Sequence, residues 1–300
     1  MKKFLKWTLI VVLTLVVIVA ISAFVITSKA EKKFTKTYDD VKPTSISIPT
    51  DTASLVRGQH LSNHCTHCHG NDFAGTAFFD DKDMGSVPAP NITGGKGSPV
   101  ATYTDMDWIR SIRHGLRKDG TPLFIMPSNE FHHFTAEELG SLIAFLKNVP
   151  KVDKEWTKPN LSFMGKLILG MNGFGEVFSA ETINHSEPIV PSIKPEINAV
   201  YGEHLALTGG CKTCHGAALN GAKSPDPNAP FSPNLTMGGN LGKWSVDDFM
   251  KTLRTGETPE GKNLDDKFMP WSGIGKMTDN ELSALFLYLK SQPKLETTKS

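Results

Sequence analysis

Cys65-Thr66-His67-Cys68-His69 and Cys211-Lys212-Thr213-Cys214-His215 each set two thiols three residues apart, with an imidazole directly after the second. Together they use all 4 cysteines of the chain. On a helical turn, positions i, i+3 and i+4 share one face, so two thiols and one imidazole converge on a single ligand. This C-x-x-C-H spacing is the attachment signature of c-type haem. Cys65 and Cys68, and again Cys211 and Cys214, can bond the two vinyl groups of a porphyrin. His69 and His215 then face the iron as neutral imidazole ligands. A structural zinc site wants two cysteine pairs brought together, and a thioredoxin-like redox pair wants a βαβ setting. The pattern around these motifs offers neither.

The second axial ligand has to come from elsewhere in the chain. Methionine usually serves as a flexible core filler, and 10 are present. Met126 and Met269 stand apart because they occupy equivalent places, each before a proline that biases it towards an extended loop. His132, His133, Met84 and Met106 compete with Met126, and Met237 and Met277 with Met269. Methionine opposite histidine raises the reduction potential and closes both axial positions, which suits electron transfer. Pro90 and Pro233 are candidates to offer a carbonyl to the free N–H of the proximal imidazole, and otherwise they mark turns. Arg113 and Arg254 are candidates for haem propionates, against the simpler role of cations at helix C-termini. His60, His64, His67, His114, His185 and His204 read as surface or packing residues.

The elements that must position these groups come in two copies, because residues from about 57 to 150 recur from about 201 to 293. Gly58-Gln59-His60-Leu61 corresponds to Gly202-Glu203-His204-Leu205, and Pro90-Asn91-Ile92-Thr93 to Pro233-Asn234-Leu235-Thr236. Thr104 to Gly115 and Ser245 to Gly256 predict short helices that open on a hydroxyl with Asp107 or Asp248 three residues on, and close on glycine. Thr135-x-x-Glu138 and Thr278-x-x-Glu281 predict capping boxes. Each opens a helix with an apolar stripe: Leu139, Leu142, Ile143 and Leu146 in one, Leu282, Leu285, Phe286 and Leu289 in the other. Pro150 and Pro293 end them.

At the amino terminus, Lys2, Lys3 and Lys6 precede an uncharged run from Trp7 to Ile26. At ~1.5 Å per residue it spans the ~30 Å hydrocarbon core, and it exceeds the apolar region of a cleaved signal. The alternative is cleavage after Ser28-Lys29-Ala30. The expected organisation is an anchor over 1–30, a polar tether over 31–50, a first unit over 51–150 and a connector over 151–199. A second unit over 200–294 and a tail over 295–300 complete it. The connector's apolar stretch from Leu161 to Phe174 is too short to span a bilayer and reads as docking on a domain. The 32 basic and 31 acidic side chains give a net charge of +1, so no global field recommends a nucleic acid.

The order of C-x-x-C-H-G, P-N-[IL]-T, Met-Pro and a closing Thr-x-x-Glu-Leu helix resembles the cytochrome c subunits of membrane-bound bacterial dehydrogenases, above all their dihaem relatives. The resemblance covers both repeats. It implies an all-α architecture of two tandem class I cytochrome c domains after the transmembrane helix, with two haem c groups. It also implies redox partners, namely a dehydrogenase subunit on one side and a quinol or oxidase complex on the other. Because c-type haem is attached outside the cytoplasmic membrane, the resemblance places both units on the outer, periplasmic face. Many such subunits carry three haem motifs where this chain has two. An enzyme of another class, a dihaem peroxidase with one open iron, is the alternative, and two Met-Pro motifs argue against it. No nucleotide-binding glycine fingerprint and no nucleophile, base and orienter set competes.

Overall fold

The computed structural model describes residues 1–226 and 228–298. Its first element, α1 (Lys2–Thr35), is one continuous helix of 34 residues, roughly 50 Å long. It is long and apolar enough to cross a membrane, and its most apolar stretch is covered by no other part of the protein.

The first repeat follows as α2 (Thr52–Leu61), α3 (Asn63–His69), a hairpin of β1 (Thr76–Asp81) and β2 (Gly85–Ala89), α4 (Asp105–His114), α5 (Ser128–Phe131) and α6 (Ala136–Asn148). The connector adds β3 (Asn160–Leu161) and α7 (Phe163–Gly170). The second repeat is α8 (Ala199–Thr208), α9 (Cys211–His215), α10 (Val246–Thr255), α11 (Trp271–Ile274) and α12 (Asp279–Ser291). The chain is mostly helical, with an addition that the periodicity does not announce: β1, β2 and β3 form a small antiparallel sheet in that order. Among the described residues, the corresponding segment of the second repeat has an isolated bridge, Ala222 with Ser232, in place of the hairpin, and that segment between haem motif and Pro-Asn is shorter.

Helix starts follow the sequence signals. Thr104, Thr135, Ser245 and Thr278 each close a full capping box, with Asp107, Glu138, Asp248 and Glu281 reaching back to the cap. Helices α4 and α10 end on Gly115 and Gly256 in the left-handed region, at φ of 65° and 74°. That is a conformation most L side chains avoid.

Each core is built where the first and last helices of a repeat cross. Leu139, Leu142, Ile143 and Leu146 of α6 are all buried, as are Leu282, Leu285, Phe286 and Leu289 of α12. Each such side chain stabilises by roughly 1.5–3 kcal/mol relative to exposure. At the crossings, a Cβ on Gly58 would meet the carbonyl of Ser141, and one on Gly202 that of Ala284. The recurring Gly-x-His-Leu lets backbone touch backbone.

The stretch expected as a polar tether is instead docked. Ala30 and Phe34 of α1 pack with Val87, Phe124, Leu161, Leu169 and Phe178, while Tyr38 and Val41 are buried beside Leu116 and Ala180. Lysines 29, 32, 33 and 36 gave this stretch its polar look, but Ala30 and Phe34 lie one turn apart on a single face. Two ion pairs at 2.8 Å, Lys33 with Glu181 and Lys166 with Glu31, join α1 to the connector. The apolar stretch of the connector packs on the first repeat and on α1.

Candidate functional site

In the first repeat, Cys65, Cys68 and His69 on α3 face a cavity of ≈ 900 Å³, at the upper end of the size range of small-molecule sites. Its wall is largely apolar: Ile92, Val100, Trp108, Ile112, Leu142 and Leu146 all contribute, and Met126 enters from the loop before α5. Two thiols, an imidazole and a thioether around one apolar space are the donor set that a covalently held porphyrin needs. The residues present fit that group.

Of the competitors for the first repeat, Met126 lines the cavity, whereas His132, His133, Met84 and Met106 do not. His132 is occupied elsewhere: its Nδ1 lies 3.2 Å from the Arg113 carbonyl and its Nε2 3.6 Å from Glu187. In the second repeat, Cys211 and Met269 both pack against the core formed by Tyr201, Leu205, Leu253 and Leu285, and Met277 is buried within that core.

The imidazoles are held alike. His69 Nδ1 lies 2.8 Å from the Pro90 carbonyl, and His215 Nδ1 lies 2.8 Å from that of Pro233. That contact fixes the ring and leaves Nε2 free to bind a metal. Burial lowers the proton affinity of both rings, and the carbonyl only partly opposes it. Burial also pushes the thiols of Cys65 and Cys211 up to about 12 and that of Cys68 to about 11. This is the opposite of what a thiolate nucleophile or a zinc site requires.

The Pro-Asn-x-Thr loops carrying those carbonyls are pinned by residues that motif reading passes over. Asn91 Nδ2 donates to the carbonyls of Val152 (2.7 Å) and Lys154 (3.0 Å), and its Oδ1 accepts from the Thr93 amide (2.9 Å) and hydroxyl (2.8 Å). Asn234 does the same with Leu295 and Thr236. The identical spacing in both repeats was the available signal. It lacked only the partner, which lies about 60 residues downstream each time.

The arginines require a correction. Arg113 is buried and donates to the carbonyls of His132 and Glu187, so its fork is already filled and it does not line the cavity. Arg254 pairs with Asp279 at 2.8 Å on the surface. The guanidinium on the first cavity is Arg117, which donates to Thr121 and Pro122. Thr258 occupies the matching place in the second repeat. Connector residues Glu155, Trp156 and Pro159 also form part of the first wall, with Trp156 Nε1 donating to the Ala74 carbonyl at 2.8 Å. Phe34 and Thr35 at the end of α1 join them.

The repeats meet through a partly buried charge cluster. His60 Nε2 of the first lies 2.8 Å from Glu281 of the second, and His204 Nε2 of the second lies 2.8 Å from Glu138 of the first. Arg57 bridges both carboxylates, at 2.8 Å from Glu281 and 3.0 Å from Glu138, and reaches the Tyr201 hydroxyl at 3.3 Å. Burial alone would raise the Glu281 carboxyl, but the hydrogen bonds from His60, Arg57 and the Thr278 amide hold it well below the usual range. Glu138 is depressed in the same way, with His204 chief among the groups that outweigh its burial. Glu130, by contrast, reaches Thr213 inside the second haem motif at 3.0 Å, and burial pushes its carboxyl up to about 7.

Comparison with known proteins agrees with this geometry. The cytochrome c family model matches residues 55–150 and 199–293. The chain is 28% identical over 279 residues to the cytochrome c subunit of a quinone alcohol dehydrogenase from Gluconacetobacter polyoxogenes, covering 81% of this chain and 57% of the relative. It is 26% identical over 261 residues to the fructose dehydrogenase cytochrome subunit of Gluconobacter japonicus, covering 80% and 53%. It thus spans a little over half the length of these relatives. A diheme cytochrome c-type protein of Cereibacter sphaeroides is 22% identical over 268 residues, covering 82% of this chain and 88% of its own length. With both repeats matched and the cysteines, histidine and methionine gathered on one cavity, this chain belongs to the cytochrome c family.

Proposed function

We propose that this protein is a membrane-anchored electron carrier holding two covalently attached haems, one in each of two tandem class I cytochrome c domains, spanning 51–150 and 200–294. The observation that carries the reading is the convergence of Cys65, Cys68, His69 and Met126 on one apolar cavity, with the same residue types at matching places in the second repeat. When bound, each haem supplies a one-electron iron couple.

The protein's own residues do the rest. Cys65 and Cys68, and Cys211 and Cys214, fix the macrocycle. His69 and His215, oriented by the Pro90 and Pro233 carbonyls, would bind the iron together with Met126 and Met269. A metal so held by protein side chains would offer substrates no site, which favours the carrier role over a peroxidase. The apolar wall excludes water and so limits the reorganisation that accompanies a change of charge.

The relatives' names support a dehydrogenase as electron donor, and a quinone or a terminal oxidase is the acceptor on this reading. Anchoring by α1 is supported by its uncovered apolar surface and by Ala30, which is fully buried within a helix running on to Thr35. Cleavage after Ala30 would sever a packed helix. The soluble domains lie on the outer face, where c-type haem is attached.

The test is an optical spectrum of the oxidised full-length protein with haem quantified. A far-red methionine-to-iron band accounting for both haems is the expected result. A band for one haem or none, or rapid stoichiometric carbon monoxide binding after reduction, would overturn the closed six-coordinate assignment.

A further inference from the structure

The connector folds back along the anchor. On α7, Lys166 pairs with Glu31 of α1 at 2.8 Å, and a turn later a Cβ on Gly170 would touch the carbonyl of Ile26. Advancing along α7 therefore means retreating along α1, so the two helices run antiparallel, and the end of α7 arrives at the level of Ile26. Ile26 is also the last strongly apolar residue of the uncharged run that begins at Trp7, three residues before Lys29.

The residues brought to that level are apolar. Leu167 and Ile168 are half-exposed, and Met171 is 61% exposed, beside Val25 and Phe24 of α1 at 45% and 72%. The turn from Met171 to Gly173, which follows the end of α7, is exposed and carries no charge. Cations stand one step higher: Lys29 and Lys32 on α1 are exposed, while Lys33 and Lys166 at the same height are paired with Glu181 and Glu31.

We infer that the α7 tip, from Leu167 through Met171, is a second membrane contact that lies in the outer interface of a phospholipid bilayer beside α1. Three observations carry it: the antiparallel register that sets the height, the exposed apolar side chains that both helices present at that level, and the exposed Lys29 and Lys32 just above it on α1. A cation close to the surface is attracted to anionic headgroups, and apolar side chains favour the boundary just beneath. The inference rests on the reading of α1 as a membrane anchor.

The contact has a structural use. Helix α7 packs through Leu169 into the cluster shared by Ala30, Phe124 and Phe178, and Phe34 of the same cluster reaches the first cavity wall. Two points on the bilayer, α1 and the α7 tip, then define the tilt of the first domain where α1 alone would leave it free to lean.

The experiment places a benzophenone amino acid singly at Val17, Met171 or Asp81 in the full-length haem-loaded protein. The variants are reconstituted in discs of phosphatidylethanolamine and phosphatidylglycerol, irradiated and analysed by mass spectrometry for lipid adducts. Met171 and Asp81 are both exposed, so folding is not at stake. Adducts at 17 and 171 with none at 81, on the exposed face of β1, are expected. Adducts at 17 without any at 171 would overturn the second contact while leaving the anchor intact. No adduct at 17 would overturn both.

Discussion

His204 Nε2 and Glu138 Oε2 lie 2.8 Å apart across the boundary between the repeats, and His60 and Glu281 make the same contact with the halves exchanged. Such reciprocity is the mark of an isologous contact, the kind found across a two-fold axis between identical subunits. Arg57 and Tyr201 occupy matching positions in the two repeats and meet each other at the centre. The asymmetry lies there, where one repeat supplies a cation and the other a phenol. Both carboxylates are also the reach-back acids of capping boxes, so each closing helix is fastened by a residue that also binds the other repeat.

Removing one partner therefore weakens two things at once. Glu281→Gln is expected to cost about 2 kcal/mol, between the ~0.5 kcal/mol of an exposed pair and the ~4 kcal/mol of a fully buried one, because Arg57 retains some solvent contact. Urea unfolding followed by haem absorbance reads this. A double-mutant cycle on His60 and Glu281 should show coupling above about 0.5 kcal/mol, and additive effects would dissolve the proposed lock.

The same cluster sets an acid limit. Glu138 and Glu281 titrate below the ordinary carboxylate value of 4.5 in the folded protein. Their contribution is thus fully present above that value and is lost as pH falls through their depressed range. The urea midpoint of the wild type should drop as the solution is acidified below about pH 4.5, and the Glu138→Gln, Glu281→Gln double variant should show a flatter dependence.

Met126→Ala should abolish the first haem's share of the far-red band, lower its potential by on the order of 100 mV and admit carbon monoxide. His132→Ala should leave the band intact, since that ring is committed to Arg113 and Glu187. Redox titration with spectral deconvolution separates the two outcomes.

Asn91→Ala removes two side-chain donors and one acceptor at a buried site. The Lys154 carbonyl would be left without its donor and that of Val152 would keep only the longer bond from the Thr93 hydroxyl at 3.3 Å, at a cost of about 1–3 kcal/mol. The Pro90 carbonyl would also lose its fixed place, so the ring N–H of His69 should exchange faster by NMR. Exchange at His215 serves as the internal control.

Gly58→Ala and Gly202→Ala each put a methyl group against a carbonyl of the crossing helix. Overpacking of this kind costs about 2 kcal/mol or more, and where the backbone cannot yield the repeat should fail to retain haem. The haem content of the purified variants, measured per chain, gives the answer.

Much of this was legible from residue types alone, because the signals are local. The capping boxes at Thr135 and Thr278 and the glycines at 115 and 256 act within a turn or two of chain, and the structure shows them closed and left-handed as the patterns required. The pairing of repeats singles out Met126, which lines the cavity. What escaped depends on distant partners. Arg113 looked free because His132 and Glu187 could not be seen approaching it. Trp156, Phe34 and Arg117 carry no motif and became wall residues only through folding. Residues 31–50 read as a tether because composition weighs every face of a helix equally, whereas docking uses one.

The exchange of partners between Glu138 and Glu281 also bears on descent. Two copies of one unit ordinarily remain separable, each able to be lost or shuffled into another gene. Here either copy, taken alone, would open to water a boundary face built around a carboxylate whose matching imidazole stays behind in its twin. A duplication that began as redundancy has become a dependency, and selection now acts on the pair as one object.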